Sequence, residues 1–571
     1  MKNLIASISL VAASAAAYAA TTNVPVNASD DPENPTLMSS WDVWDTTTWT
    51  TKPDQVPLWK GKNGSSPGAS TLANCYITVD QDFTMNQKFL VSGSGGKHSN
   101  MNFTLDGTSI TFGSTVNNPF DFNGSSYSMG FYFNAAPSST GTLNFNNTDV
   151  AIDLYTTDDS NKKFGRNVSF GEGITANFAG TLSVSGHNSQ LTNDSLFSVA
   201  GTANVAGNLI LTNTIANFSG TVNANTVQMD TADLTLSGTL APKAGSTYAL
   251  NVTGGLSKIT TSATTALDQA VITVDSGATL RINAKTAGTY NIANASTVRG
   301  MLSLYGGAHS SNPSGFIRGN MLVDGGTLYE DSQGGSYALT VQNATVTLQN
   351  SATVRVIGVN AGFTIANGGV VTVDATSTID SANLYFFSGW SSGVEAKLYL
   401  SSASNLAQTP NILVNASSRS ALTTGKLYLT ADSSAYRFGV LQFLRKADFE
   451  VHLNGASVEF AGVDCYDKAG QSAKGCVSKL VFYDFMNGLV KLGIDESILS
   501  ASGEITLPYD YTSLFVRGYA PGSETLLDGE WGIDAGGFLW NSAASYIPEP
   551  AEWGLLIGLL AVGLAAYRRR K

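Results

Sequence analysis

Between residues 126 and 440 the chain is a succession of short runs in which apolar and polar residues alternate, such as Asn208 to Leu211 and Leu234-Thr235-Leu236, each closed by Gly, Asn or Asp. Successive side chains of a strand point to opposite faces, so each run reads as a half-buried strand, and the closing residues accept the positive φ of a tight turn. No amphipathic stretch of ten or more residues interrupts them. The runs also recur. Ala176-Asn177-Phe178-Ala179-Gly180-Thr181-Leu182 returns forty residues on as Ala216-Asn217-Phe218-Ser219-Gly220-Thr221-Val222, and Gly-Thr pairs begin at Gly141, Gly180, Gly201, Gly220 and Gly238, at intervals of 39, 21, 19 and 18. The spacing predicts a unit of about twenty residues, one interval being doubled. Farther on, Ala278-Thr279-Leu280-Arg281-Ile282 is matched by Ala352-Thr353-Val354-Arg355-Val356.

Strands without helices at such a period predict an all-β fold, a right-handed parallel β-helix that buries Val, Leu, Ile and Phe and sets Thr, Asn and Ser in outward ladders. A string of antiparallel β-sandwiches is the other architecture. It should break into blocks joined by linkers every hundred residues or so, and none is evident.

Composition narrows the partners. The net charge is −12 with only 13% charged residues, a balance that argues against nucleic acid or an anionic membrane surface as partner. Three cysteines in a chain of this length leave the fold independent of disulfides. Cys465 and Cys476 flank a hydrophilic loop, so a local bridge closing a hairpin is expected there, with Cys75 left over. No further Cys or His stands near the pair to complete a metal site, and neither metal nor cofactor is expected.

The regions on either side of 126–440 differ from it. Residues 20–125 hold Trp41, Trp44, Trp49 and Trp59 within twenty positions. Such a cluster suits a cap over the open end of a repetitive core, since an uncovered end exposes strand edges. A stacking platform for sugar rings is the alternative. Residues 441–546 carry a denser charge and aromatic-rich strands such as Leu480-Val481-Phe482-Tyr483-Asp484-Phe485, expected of a closing β cap.

Catalytic constellations are scarce. The four histidines, His98, His187, His309 and His452, are too far apart for a zinc motif. Gly64-Ser65-Ser66-Pro67-Gly68 spells a nucleophile elbow, but Pro67 has no N–H to offer an oxyanion hole. Gly389-Trp390-Ser391-Ser392-Gly393 spells it again, with Asp448 and His452 following in hydrolase order. There, however, Val394 to Leu400 alternates as a strand where the elbow requires a helix. A glycan-cleaving β-helix enzyme would need clustered carboxylates, whereas the charges of the repeats read as lone: Asp233, Lys243, Asp268, Asp275, Arg281 and Arg355. No catalytic residue is assigned.

The ends carry addresses. Met1-Lys2-Asn3, an apolar run from Leu4 to Val11 and the small residues Ala17 and Ala19 make a secretory signal peptide over residues 1–19, cut after Ala19. At the other end, Pro548-Glu549-Pro550 is held out of helix and sheet by its prolines. It precedes an uncharged run from Trp553 to Tyr567 and the cations Arg568, Arg569, Arg570 and Lys571. That run is about 22 Å long as a helix, and its terminal cations should stay on the cytoplasmic side.

Residues 547–571 resemble the PEP-CTERM sorting signal of bacterial surface proteins. The resemblance implies one transmembrane helix, a recognition box at Pro548, Glu549 and Pro550, a stop-transfer tail at Arg568, Arg569 and Arg570, and recognition by an exosortase-type membrane sorting enzyme in cells that make extracellular polysaccharide. The repeat region is similar in pattern to the passengers of autotransporter-type surface proteins, without their C-terminal barrel. The expected protein is therefore an exported surface protein with a structural or adhesive role, its outward rows meeting polysaccharide or neighbouring copies; the alternative is a β-helix polysaccharide lyase or glycoside hydrolase.

Overall fold

The computed structural model describes residues 22–26, 28–59, 73–91, 99–122, 129–154, 166–186, 196–261, 266–284, 290–306, 315–331, 339–358, 361–388, 394–416, 422–465, 476–507, 513–546 and 568. Over these residues the chain is all-β, with strands from Thr22 to Asn541 and only single 3-10 turns such as Met38–Ser40 and Ala403–Asn405 between them. Among the described residues no helix is long and apolar enough to cross a membrane, and Arg568 alone has α-helical backbone. The signal peptide with Ala17 and Ala19, the box Pro548-Glu549-Pro550, the apolar run to Tyr567, and Arg569 and Arg570 lie outside the described residues.

Two compact units divide the chain, Met1–Gly207 and Asn208–Lys571. In the first, parallel pairing begins at once, Thr22–Pro25 lying in register along Gln55–Leu58. Residues expected to form only a cap thus already contribute parallel strands; antiparallel pairing there joins Trp44–Asp45 to Thr50–Thr51. Alternation works as the sequence requires: Gly141–Phe145 and Ile174–Phe178 each bury every second residue. Phe112, Phe145 and Phe178 stack inward, centroids 4.9 and 4.5 Å apart and planes 3° from parallel at both steps. On the outward face Asn177 donates to the Asn144 side-chain carbonyl at 3.0 Å and Asn204 donates to Asn177 at 2.9 Å. A one-residue slip would carry those amides into the phenylalanine layer, so the two faces fix the register together.

Two tryptophans of the cluster belong to this interior. Trp41 and Trp44 are buried, and Trp44 lies 4.6 Å from the Phe83 ring while its indole N–H donates to the Met38 carbonyl at 2.8 Å. Their faces are taken by protein, which removes these two as a sugar platform. The Trp59 side chain lies outside the described residues.

In the second unit three long parallel sheets share the chain, besides the parallel pair Thr221–Asn223 and Thr239–Ala241. The first runs from Ile215–Phe218 to Thr378–Ser381, the second from Asn208–Thr212 to Ser513–Gly518, and the third from Tyr290–Ile292 to Val490–Leu492. Each strand pairs with the strand one coil on, a coil being the stretch that returns the chain to the same sheet. Inward residues are apolar and buried, as at Val346, Leu348, Val371 and Val373. Asn213 and Asn343 take φ of 46° and 51° at turns, and Gly277 takes 80°, the left-handed geometry expected of closing residues. The second sheet ends on the antiparallel strand Glu504–Ile505, and Trp531–Ile533 forms a hairpin with Leu539–Asn541.

The period needs correction. Eighteen residues separate Thr221 from its partner Thr239, but 25 separate Thr345 from Val370 and 36 separate Val477 from Ser513. Gly220 and Gly238 precede paired strands, whereas Gly180 precedes Thr181–Ser185, which pairs with Asp149–Asp153 and not with the strand that begins at Gly141. The Gly-Thr pairs therefore mark corners of more than one sheet, and their spacing measured corners, not coils. Ala278–Ile282 and Ala352–Val356 do occupy equivalent places: Arg281 aligns with Ser303, Tyr329 and then Arg355, three coils on.

Candidate functional site

Along the second sheet one outward row can be followed through successive in-register pairs. Thr273, Thr297, Leu322, Thr347 and Thr372 occupy it coil after coil, and Tyr399, Tyr428, His452 and Tyr483 continue it. Strands lie about 4.8 Å apart, so this row presents one side chain at every such interval. Threonine is favoured on a half-buried strand because its branched Cβ packs on the pleat, and each one points a methyl and a hydroxyl outward.

The threonine part of the row is a groove of about 530 Å³ whose lining includes Thr273, Thr297, Asn320, Leu322, Thr345 and Thr347. None of its eleven lining residues carries a charge. Buried Ile272 and Met321 are among its lining residues. A polar but uncharged groove with closely spaced hydroxyls can hydrogen-bond a polyhydroxylated chain while offering methyl groups to its apolar faces.

Where the row turns aromatic, the rings stack. Centroids of Tyr399 and Tyr428 are 4.3 Å apart, Tyr428 and His452 4.2 Å, His452 and Tyr483 4.4 Å, and Tyr483 and Tyr519 4.7 Å, with planes within 15° of parallel. The interior rings give both faces to each other. They form a scaffold, and only their edges and phenol oxygens turn outward. Burial pushes the Tyr428 and Tyr483 phenols up from their ordinary value.

An ionic row runs beside the rings. Lys426 lies 2.6 Å from Glu395 and 3.0 Å from Glu450, and Lys397 lies 2.9 Å from Glu395. Lys426 holds the Glu395 carboxyl below its usual range. Burial works against the charged form of Glu450. His452, whose Nε2 lies 3.6 Å away, and Lys426 nevertheless hold that carboxyl low. Burial pushes neighbouring Asp448 up, although it accepts a hydrogen bond from the Lys479 backbone N–H at 3.1 Å. Two carboxyls on one face of one strand are thus pushed in opposite directions.

Sequence reasoning placed Asp448 and His452 in a hydrolase order after Ser391. They share the strand Ala447–His452, Ser391 lies outside the described residues, and Glu395–Leu400 is a strand where the elbow needs a helix. His98, His187, His309 and the Gly64–Gly68 segment are also outside them. Cys476 is buried, but the Cys465 side chain is not described, so the expected bridge lies outside the described residues as well. Several charges taken as lone meet partners on the next coil: Asp233 with Lys258 at 3.7 Å, Arg355 with Asp380 at 3.2 Å, and Arg281 over the Tyr305 ring at 4.9 Å. Those partners stand 25, 25 and 24 residues away, beyond any local reading. Among the described residues no cluster of three or more His, Cys, Asp or Glu could hold a metal ion.

Compared with models of protein families, with curated proteins and with solved structures, the chain matches none.

Proposed function

We propose that this chain is an exported, C-terminally sorted cell-surface protein with a structural and adhesive role. In this reading it is a right-handed parallel β-helix with β caps, held by one C-terminal transmembrane helix, and it binds extracellular polysaccharide in the groove around Thr297 and Thr347. The observation that carries the binding is the uncharged groove of about 530 Å³ lined by the hydroxyls of Thr273, Thr297, Thr345 and Thr347. A repeating polymer can engage such a face at many weak points at once, so affinity grows with chain length. Neighbouring copies can meet through the same outward rows. Export rests on the leader ending at Ala19. Sorting rests on Pro548, Glu549 and Pro550, read by an exosortase-type membrane enzyme, with Arg568, Arg569 and Arg570 kept on the cytoplasmic side.

Affinity electrophoresis of the purified protein through gels containing polysaccharides tests this. Retardation without release of reducing ends, abolished when Thr297→Trp and Thr347→Trp fill the groove, is the expected result. Undiminished retardation of the filled variant would remove the groove from the account. Cell fractionation tests the sorting: glutamates in place of Arg568, Arg569 and Arg570 should misdirect the chain, and an unchanged destination would refute it.

A second reading, a glycan-cleaving enzyme, is favoured by one observation: Asp448 and Glu450 stand two residues apart on one strand with carboxyls pushed in opposite directions, as acid and base pairs require. Glu450 is engaged by Lys426 in the ionic row and Asp448 by the Lys479 backbone N–H, which supports the structural reading. Release of reducing ends or unsaturated sugars, abolished by Glu450→Gln, would reverse that judgement.

A further inference from the structure

We infer that the occupant of the groove is a neutral pyranose polysaccharide running in the direction in which the coils stack, and that the ring of Tyr399 is the contact where the threonine row ends. This rests on the proposed glycan binding and makes its ligand class specific.

Charge decides the class. No lining residue is charged, and along the adjoining strand positions Arg299 faces Asp324 at 3.6 Å. Asp324 also accepts from Asn350 at 2.6 Å and from Gln349 at 3.2 Å, and its carboxyl is held below the ordinary range, Asn350 first and Gln349 next. The guanidinium beside the groove therefore already has a carboxylate. Farther along the sheet, Lys397 and Lys426 are neutralised by Glu395 and Glu450. A uronate polymer would bring a negative charge on every sugar to a chain of net charge −12 and meet no spare cation at the groove.

Direction and end point come from the row. Threonines recur in register at Thr273 and Thr297 and again at Thr347 and Thr372, with Leu322 between them, so hydroxyls recur along the coil axis on either side of one apolar step. Tyr399 follows Thr372. Its ring lies within 8° of parallel to Tyr428 at 4.3 Å, so Tyr428 covers one face, and the in-register neighbour on the other side is Thr372, not a ring. Tyr428, His452 and Tyr483 have a ring on both sides. Tyr399 is the ring of this row with a threonine and not a second ring on one side, and the apolar face of a pyranose is what an aromatic face stacks against.

Calorimetric titration of the full chain with neutral gluco-, manno-, galacto- and xylo-oligosaccharides and with uronate oligomers of equal length tests the inference. A neutral oligosaccharide should bind best, with affinity changing less than about twofold between low and high salt. Tyr399→Ala should weaken it about tenfold, about 1.4 kcal/mol, and Tyr399→Phe should keep it. Tyr483→Ala removes two stacking partners inside the scaffold away from the groove and should leave the affinity unchanged, which separates a ligand contact from loss of the stack. Tighter binding of uronates, or equal losses in Tyr399→Ala and Tyr483→Ala, would overturn the inference and leave the groove reading standing. Binding of no oligosaccharide at all would overturn both.

Discussion

Tyr428 and His452 lie one coil apart with centroids 4.2 Å from each other and planes 15° from parallel, an imidazole set into a run of phenols. His452 is stacked equally closely on its other side by Tyr483, at 4.4 Å. Aromatic pairs contribute about 0.5–1.5 kcal/mol beyond the area they bury. Losing both should therefore lower stability by roughly 1–3 kcal/mol in His452→Ala, read as a fall in the urea midpoint. His452→Phe restores two ring faces and should recover most of the loss. Equal midpoints for the two variants would show that the stack contributes nothing.

Lys426 should be the most sensitive residue of the ionic row, because it alone joins Glu395 and Glu450. Burial opposes its charge, and the two carboxylates outweigh that and raise it above the usual lysine value. Lys426→Met leaves two carboxylates facing each other with their charge-assisted hydrogen bonds gone, a loss of about 1–3 kcal/mol. High salt should narrow the difference between wild type and variant by screening the exposed part of the repulsion. A methionine variant as stable as wild type at low salt would contradict this.

Acid should loosen the turns before the sheets. Asp432 accepts from the Ser402 hydroxyl at 2.7 Å and the Ala403 N–H at 2.8 Å, and Ser402 first, then Ala403, bring its carboxyl down to about 2 from an ordinary 3.8. At Asp374 burial opposes the charge, but hydrogen bonds from Ser377, Asn350 and Thr376 outweigh it and again give about 2. A carboxyl held below its unfolded value stabilises fully above that value, and the stabilisation fades as pH falls through the folded one. Stability should thus decline between pH 3.8 and about 2. Ser402→Ala should move the Asp432 part of the decline to higher pH, measurable by carboxyl titration in NMR. An unmoved titration would refute the assignment.

Gly238 is required for close approach. A Cβ there would lie 2.0 Å from the Gly220 carbonyl oxygen, an atom of fixed backbone. Gly238→Ala should cost about 1–3 kcal/mol through forced separation of adjoining coils. Gly245→Asn is the contrast: nothing lies within 4 Å of a Cβ there, and asparagine tolerates its positive φ better than other side chains, so the thermal midpoint should fall less than at Gly238. Similar losses at both sites would point to flexibility, not contact, as the reason for glycine.

The strands were legible because alternation is local: Asn208 to Leu211 and Leu234 to Leu236 disclose which face is buried without reference to anything distant. The match of Arg281 with Arg355 was legible too, since two equal words three coils apart survive small changes of coil length. The ladder was not. Tyr399, Tyr428, His452 and Tyr483 are 29, 24 and 31 residues apart, an irregular series that no periodicity detects, and their contact depends on pairing that only the folded sheets supply. Asp233 and Arg355 looked solitary for the same reason. Trp41 and Trp44 suited either a cap or a sugar platform until burial settled their faces.

Coil length in the second sheet doubles from 18 residues between Asn208 and Thr226 to 36 between Val477 and Ser513, yet the pairing stays in register throughout. The corners behave as expansion joints: residues inserted there swell outward and leave the ladder rungs where they were. Such a molecule can diversify what it displays at its edges through insertion and deletion while its faces, and whatever they grip, go on undisturbed.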